Sequence, residues 1–184
     1  MQITLSSKFT KSPVTTWLSY LLITASFLFS ACSGGSSALG RQYQAETLFL
    51  LPLDMETVPH VYFQDDDGIN KVILPSRTGN ELLVLHTKLG NHAAESTTLD
   101  IEAEPAEIRT EDGTSFLSLN TLQEATPSTT SFTDKDKFIP FLRGRQEVIR
   151  DYHLDGWLVF EVPIDATFSL LRWEISGDVI RIDL

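Results

Sequence analysis

The sequence predicts an all-β domain, an antiparallel β-sandwich of two sheets. Three observations carry that prediction. Short runs rich in β-branched and aromatic residues recur along the chain, and long stretches of 3.6-residue periodicity are missing. The C-terminal runs alternate: Leu171, Trp173 and Ile175 with Arg172 and Glu174, then Ile180, Ile182 and Leu184 with Arg181 and Asp183. One dry face and one wet face mark an antiparallel sheet lying on a core. Turn sequences punctuate the runs, among them Asp65-Asp66-Asp67-Gly68, Glu111-Asp112-Gly113 and Ser176-Gly177-Asp178.

Taken in order, residues 43–51 (YQAETLFLL) form a first strand that stops at Pro52, which has no N–H to give a ladder. Residues 61–64 and 71–74 flank the acidic turn. Residues 81–89 (ELLVLHTKL) form the first long strand, ended by Gly90-Asn91. Residues 108–110 and 115–119 make a hairpin about the Asp112-Gly113 pair. Residues 120–138, the most polar stretch, read as a long loop with room for a short helix. Residues 156–162 form a strand stopped by Pro163, and residues 169–175 and 179–184 close as a hairpin.

Targeting material precedes the domain. Residues 1–16 are polar and carry Lys8 and Lys11; residues 17–29 (WLSYLLITASFLF) are mostly apolar. That run falls short of the roughly 20 residues a spanning helix needs, and small residues follow it. A basic start, a short apolar run and small residues make a secretory signal peptide, here residues 1–31. The other reading of the run is an uncleaved anchor helix.

Phe29-Ser30-Ala31-Cys32 resembles the lipobox of bacterial lipoproteins, in which small residues precede a cysteine. The family prefers an aliphatic residue three positions ahead of the cysteine, where this chain has Phe29, with Leu28 before it. The resemblance implies that the Cys32 thiol receives a diacylglyceryl group and that Cys32 becomes the new N-terminus. Each buried methylene contributes about 0.8 kcal/mol, so two or three acyl chains anchor firmly where one does not. An aspartate after the cysteine is the inner-membrane retention signal of Gram-negative cells; Ser33 there favours the outer membrane. The competing reading is a stray thiol in an ordinary signal peptide. Residues 33–40 (SGGSSALG) then read as a flexible tether with a reach of about 15 Å. The expected organisation is a lipidated cysteine and tether at 32–42 and a folded domain at 43–184, on the extracytoplasmic face of a bacterial cell membrane or outer membrane.

Charge narrows the partners. The chain has a formal net charge of −11; Lys8 and Lys11 are the only charges of the first 31 residues, so the rest carries 12 basic against 25 acidic residues, or −13. Nucleic acid is an unsuitable partner, because phosphate binding needs clustered Lys and Arg. Docking of a protein face onto anionic lipid is disfavoured for the same reason. Cys32 is the only cysteine, so the sandwich has no disulfide and holds by packing, which about 140 residues suffice to do.

Residues 154–163 read LDGWLVFEVP, followed by Leu170-Leu171-Arg172-Trp173. This stretch resembles the DUF4352 family of bacterial secreted and lipid-anchored proteins at Gly156, Trp157, Phe160, Glu161, Val162 and Pro163. The earlier strand ELLVLHTKLGN and the Glu-Asp-Gly hairpin are similar in order and spacing, so the resemblance covers residues 80–184. It implies an immunoglobulin-like, telokin-like sandwich and no activity, since the family supplies no catalytic residues. Trp157 and Trp173 are read as core aromatics.

Few places in the sequence could carry chemistry. A nucleophile needs an adjacent base and a third group to orient it. The chain has no Gly-x-Ser-x-Gly elbow, and its one thiol is assigned to lipid. In an extended chain Asp151, His153 and Asp155 share a face, and such a trio could ligate zinc or copper; otherwise they form a solvated loop. Asp65 and Asp67, with Gly68 and Asn70, offer hard oxygens to calcium, but Leu74 stands where the twelfth EF-hand ligand belongs and no helices flank the turn. The expectation is therefore a non-enzymatic, lipid-anchored envelope protein without a cofactor, working through contacts with another envelope protein. The alternative is a small-ligand or metal-binding (calcium, zinc or copper) lipoprotein.

Overall fold

The computed structural model describes residues 37–130 and 132–184. The signal peptide, Cys32 and residues 33–36 of the tether lie outside the described residues. The folded unit runs from Ala38 to Leu184, so packing starts ahead of Tyr43. Ala38 is 9% exposed within the main core. Gly40 N–H donates to the Pro52 carbonyl (2.7 Å), and the Tyr43 hydroxyl donates to the Ala38 carbonyl (3.3 Å).

A central sheet carries β1 (Tyr43–Gln44), β2 (Leu48–Val58), β5 (Asn80–Asn91) and β11 (His153–Pro163), in that order. A second sheet carries β13 (Asp178–Asp183), β12 (Phe168–Ile175), β7 (Glu107–Thr110) and β8 (Ser115–Leu117). These two make the sandwich, and all their ladders are antiparallel. The main core lies between them. Leu50, Leu83, Leu85 and Phe160 come from the central sheet, and Ile108, Leu171, Trp173 and Ile182 from the second.

A third layer goes beyond the two-sheet expectation. It consists of β3 (Val61–Gln64), β4 (Asn70–Ile73) and β9 (Thr126–Pro127). Val61, Phe63 and Ile73, with Phe138 and Phe141, pack on Leu82, Val84 and Val159, which project from the outer face of the central sheet. The sequence of β5 records this coverage. Leu82 to Leu85 are all buried, as in a strand covered on both faces. Then alternation sets in: Thr87 and Leu89 are buried while His86 and Lys88 are half-exposed. The third layer ends where the alternation begins.

Other differences have local causes. β2 continues through Pro52 instead of stopping there. The two-residue β1 pairs only with Phe49 and Leu50, and the ladder to β5 shifts register between Pro52 and Asp54. A bulged stretch on an outer strand is where proline is tolerated. β11 starts at His153, earlier than the expected residue 156. β6 (Ser96–Asp100) and β10 (Arg145–Ile149) form an unexpected two-stranded ribbon. Each buries one residue, Leu99 and Val148, so neither shows alternation. The polar stretch holds α1 (Thr121–Glu124), capped by the Asn120 side chain, which accepts from Leu122 N–H and Gln123 N–H.

Two devices close the sandwich. Asp178, 7% exposed, accepts from the backbone N–H of Thr47 (2.8 Å) and Leu48 (2.7 Å), tying the start of β13 to the start of β2. At the opposite side, segments 118–119 and 140–142 satisfy the outer edge of β11. Leu119 N–H donates to Val159 (2.7 Å), Trp157 N–H to Pro140 (2.9 Å) and Leu142 N–H to Trp157 (2.9 Å).

Candidate functional site

The open half of the central sheet's outer face gathers the side chains most able to do chemistry or make contacts. The β5–β11 register sets Trp157 opposite His86 and Asp155 opposite Lys88. Residues opposite one another share a face, so all four project outward. The His86 ring stacks on the Trp157 indole, with centroids 4.6 Å apart and planes 13° from parallel. His86 Nε2 lies 2.7 Å from Asp155 Oδ1, and Lys88 Nζ lies 3.5 Å from Asp155 Oδ2. Phe138 meets the same indole edge-on at 5.1 Å. Trp173 is fully buried, its Nε1–H donating to the Glu104 carbonyl (2.7 Å). Trp157 is only half-buried. The expectation of two core tryptophans thus holds fully for Trp173, while Trp157 packs at the rim of the second core against Phe138 and stacks on His86.

Burial pushes the Asp155 carboxyl up, but the hydrogen bond and charge of His86, with help from Lys88, outweigh it and hold the carboxyl below the usual range. Farther along the same face, Phe49 lies across Gly90. A Cβ at Gly90 would collide with the Phe49 ring and come within 2.9 Å of His153 Cβ. Phe49 and His153 rings sit 6.5 Å apart.

The trio expected from an extended chain does not form. His153 and Asp155 share a face of β11, but Asp151 precedes the strand, in a left-handed conformation (φ 67°). Its N–H donates to the Asn91 carbonyl (2.8 Å) in the turn from β10. The partners of Asp155 come from β5. In the acidic turn, Asp65 Oδ1 accepts from Asp67 N–H (3.1 Å) and Ile69 N–H (2.8 Å), and its other oxygen lies 3.7 Å from Lys71 Nζ. Asp66 pairs with Arg143 at 3.3 Å, and Asp67 is exposed. Among the described residues, no three His, Cys, Asp or Glu side chains converge in a metal-ligating arrangement. Nor, among them, is a Ser, Thr or Cys side chain hydrogen-bonded to the His86 ring. The geometry is that of a cross-strand polar clasp beside an aromatic stack.

Glu161, in the Phe-Glu-Val-Pro stretch, has a structural task that its sequence context did not reveal. Its carboxylate accepts from Ser76 N–H (3.0 Å), Ser76 Oγ (2.8 Å), Arg77 N–H (3.0 Å) and Asn80 Nδ2 (2.8 Å). Burial raises its pKa, and those donors outweigh burial and lower it. Beside this cradle a groove of about 420 Å³ runs between Ser76, Arg77 and Asn80 on one wall and Ser115 to Leu117 on the other.

No protein-family model matches the chain, and no curated protein matches it. Among solved structures, the chain is similar to an uncharacterized β-sandwich protein from Clostridium difficile 630. The identity is 11%, the match covers 78% of this chain and 89% of that one, and the TM-score is 0.44. Among the described residues, no helix is long and apolar enough to cross a membrane.

Proposed function

We propose that this chain is a lipid-anchored protein of the bacterial envelope whose β-sandwich works through contacts with another envelope protein. The observation that carries the reading is Ser30-Ala31-Cys32 directly behind a short apolar run. The DUF4352-like stretch at 154–163 adds support, because that family comprises secreted and lipid-anchored proteins and implies an immunoglobulin-like domain without catalytic residues. The outward-facing stack of His86 and Trp157, flanked by Asp155 and Lys88, supplies an aromatic and charged surface of the kind protein contacts use.

Membrane fractionation of the natural chain and of Cys32→Ser tests the anchor. The natural chain pellets with membranes in high salt and carries the mass of its acyl chains; Cys32→Ser is released. Cys32→Ser protein that stays membrane-bound in high salt overturns the anchor. Photocrosslinking in cells from position 86 or 153 tests the contact surface. A discrete crosslinked protein supports it, and its absence from both positions counts against that face.

A further inference from the structure

We infer that the flank of the sandwich formed by β1, β2 and β13 faces the lipid surface, and that the flank formed by β8 and β11 is held away from it. This rests on the anchor at Cys32. Five residues, 33–37, separate Cys32 from Ala38. The six Cα-to-Cα steps from Cys32 to Ala38 span at most about 22 Å.

The place where this leash joins the fold is set by packing. Ala38 is 9% exposed in the main core. The Gly40-to-Pro52 and Tyr43-to-Ala38 hydrogen bonds, followed by Tyr43 opposite Leu50, lay residues 38–44 along the outer side of β2. Asp178 holds β13 on this same side through Thr47 and Leu48. Across the molecule, Ser118 bridges to Phe160 and Leu119 bonds Val159, so β8 and β11 meet on the opposite side. In the central sheet β11 stands three strand spacings from β1, about 14 Å, before the loops beyond it are counted.

The geometry then restricts which surfaces reach the bilayer. A unit running from Ala38 to Leu184 has a radius of gyration of about 15 Å and the diameter of a sphere near 38 Å. Touching the bilayer with a point some angle from the attachment lifts the attachment by the radius times one minus the cosine of that angle. A leash of at most about 22 Å allows at most about 100° of such rolling. The part of the surface within about 80° of the β8–β11 flank stays out of reach. That part carries the exposed Leu117 and Leu122 and the groove beside Glu161.

The test uses the lipidated full protein in vesicles of phosphatidylcholine doped with a nickel-chelating lipid. The thioether consumes the Cys32 sulfur, so one introduced cysteine takes a nitroxide label: Asp54→Cys on β2 or Leu117→Cys on β8. Nickel-lipid relaxation of the label at 54 is expected to exceed that at 117 several-fold. Inserting about 20 Gly/Ser residues after Ser37, which raises the extended limit to about 94 Å, is expected to raise relaxation at 117 towards that at 54. Equal relaxation at both positions with the natural leash, or no effect of lengthening it, overturns the inference. Cys32→Ser protein carrying the same labels is expected to show no relaxation; a signal at 54 without the anchor shows that the flank binds lipid itself and also overturns the leash account. Failure of the anchor is separately visible, as protein lacking acyl mass that does not float with vesicles.

Discussion

Replacing Asp178 with alanine probes the tie between the start of β13 and the start of β2. Its carboxylate accepts two backbone N–H groups across the sandwich, at 2.8 and 2.7 Å, and Leu48, which owns one of them, is 0% exposed. Hydrogen bonds to a charged group contribute about 1.5–3 kcal/mol each, and a buried donor left unpaired costs about 1–3 kcal/mol. Thr47 is half-exposed and recovers a bond from water. Counting the Leu48 bond in full and the Thr47 bond at a fraction gives a loss of about 3 kcal/mol. With an unfolding entropy near 0.3 kcal/mol/K for a unit of this length, that is a fall in Tm of about 10 °C. Asp178→Asn keeps a carbonyl acceptor and is expected to lose about 1 kcal/mol. Urea unfolding of the Cys32→Ser background, followed by fluorescence of the buried Trp173, measures both. An Asp178→Ala loss below about 1 kcal/mol, with an unchanged urea slope, refutes the idea that this carboxylate ties the two sheets.

Other perturbations address the third layer, the clasp and the cradle. Leu82→Ala is expected to cost about 3 kcal/mol, as much as Leu83→Ala on the opposite face; in a two-layer sandwich it would face solvent and cost far less, so chemical denaturation of the pair separates the two architectures. Asp155→Asn removes a carboxylate whose native pKa is lowered. Its contribution is present above the ordinary carboxylate value near 3.9 and disappears as pH falls through the lowered native value. The stability gap between the natural chain and Asp155→Asn should therefore be open at neutral pH and closed in strong acid. Because Asp155 is 46% exposed, that gap is small, about 0.5 kcal/mol; a gap that widens in acid contradicts the clasp. Glu161→Gln should speed hydrogen exchange at the Ser76 and Arg77 amides while leaving the β5 amides protected, and unchanged exchange there argues against the cradle.

Local signals made part of this fold legible. The closing hairpin was readable because alternation and the Ser-Gly turn lie within one short window, and β12 and β13 bury the residues their alternation assigns. The ribbon of β6 and β10 was not, since Ser96-Thr97-Thr98-Leu99 and Arg145-Gln146-Glu147-Val148 bury one apolar residue each. The run from Leu82 to Leu85 reads from sequence only as part of a long strand in a two-sheet sandwich; its coverage on both faces depends on packing between distant residues. The site was less legible still. His86 and Lys88 lie in the strand expected at 81–89 without marking a site there, because their meeting with Asp155 and Trp157 depends on a register between strands more than sixty residues apart in sequence. Asp151, His153 and Asp155 were grouped by assuming extended chain, and the left-handed backbone at Asp151 broke that assumption.

The sealing of the central sheet's edges has a consequence for crowding. If the proposed anchor holds copies on one membrane, they collide in two dimensions, which favours strand-to-strand recruitment wherever a long bare edge is offered. Here one border offers the bulge at Pro52 behind the two-residue β1, and the other is already bonded by residues 119, 140 and 142. Among the described residues, the β11 border offers neighbouring copies no continuous ladder to extend at residues 157–159, which removes one route to nucleating a fibre.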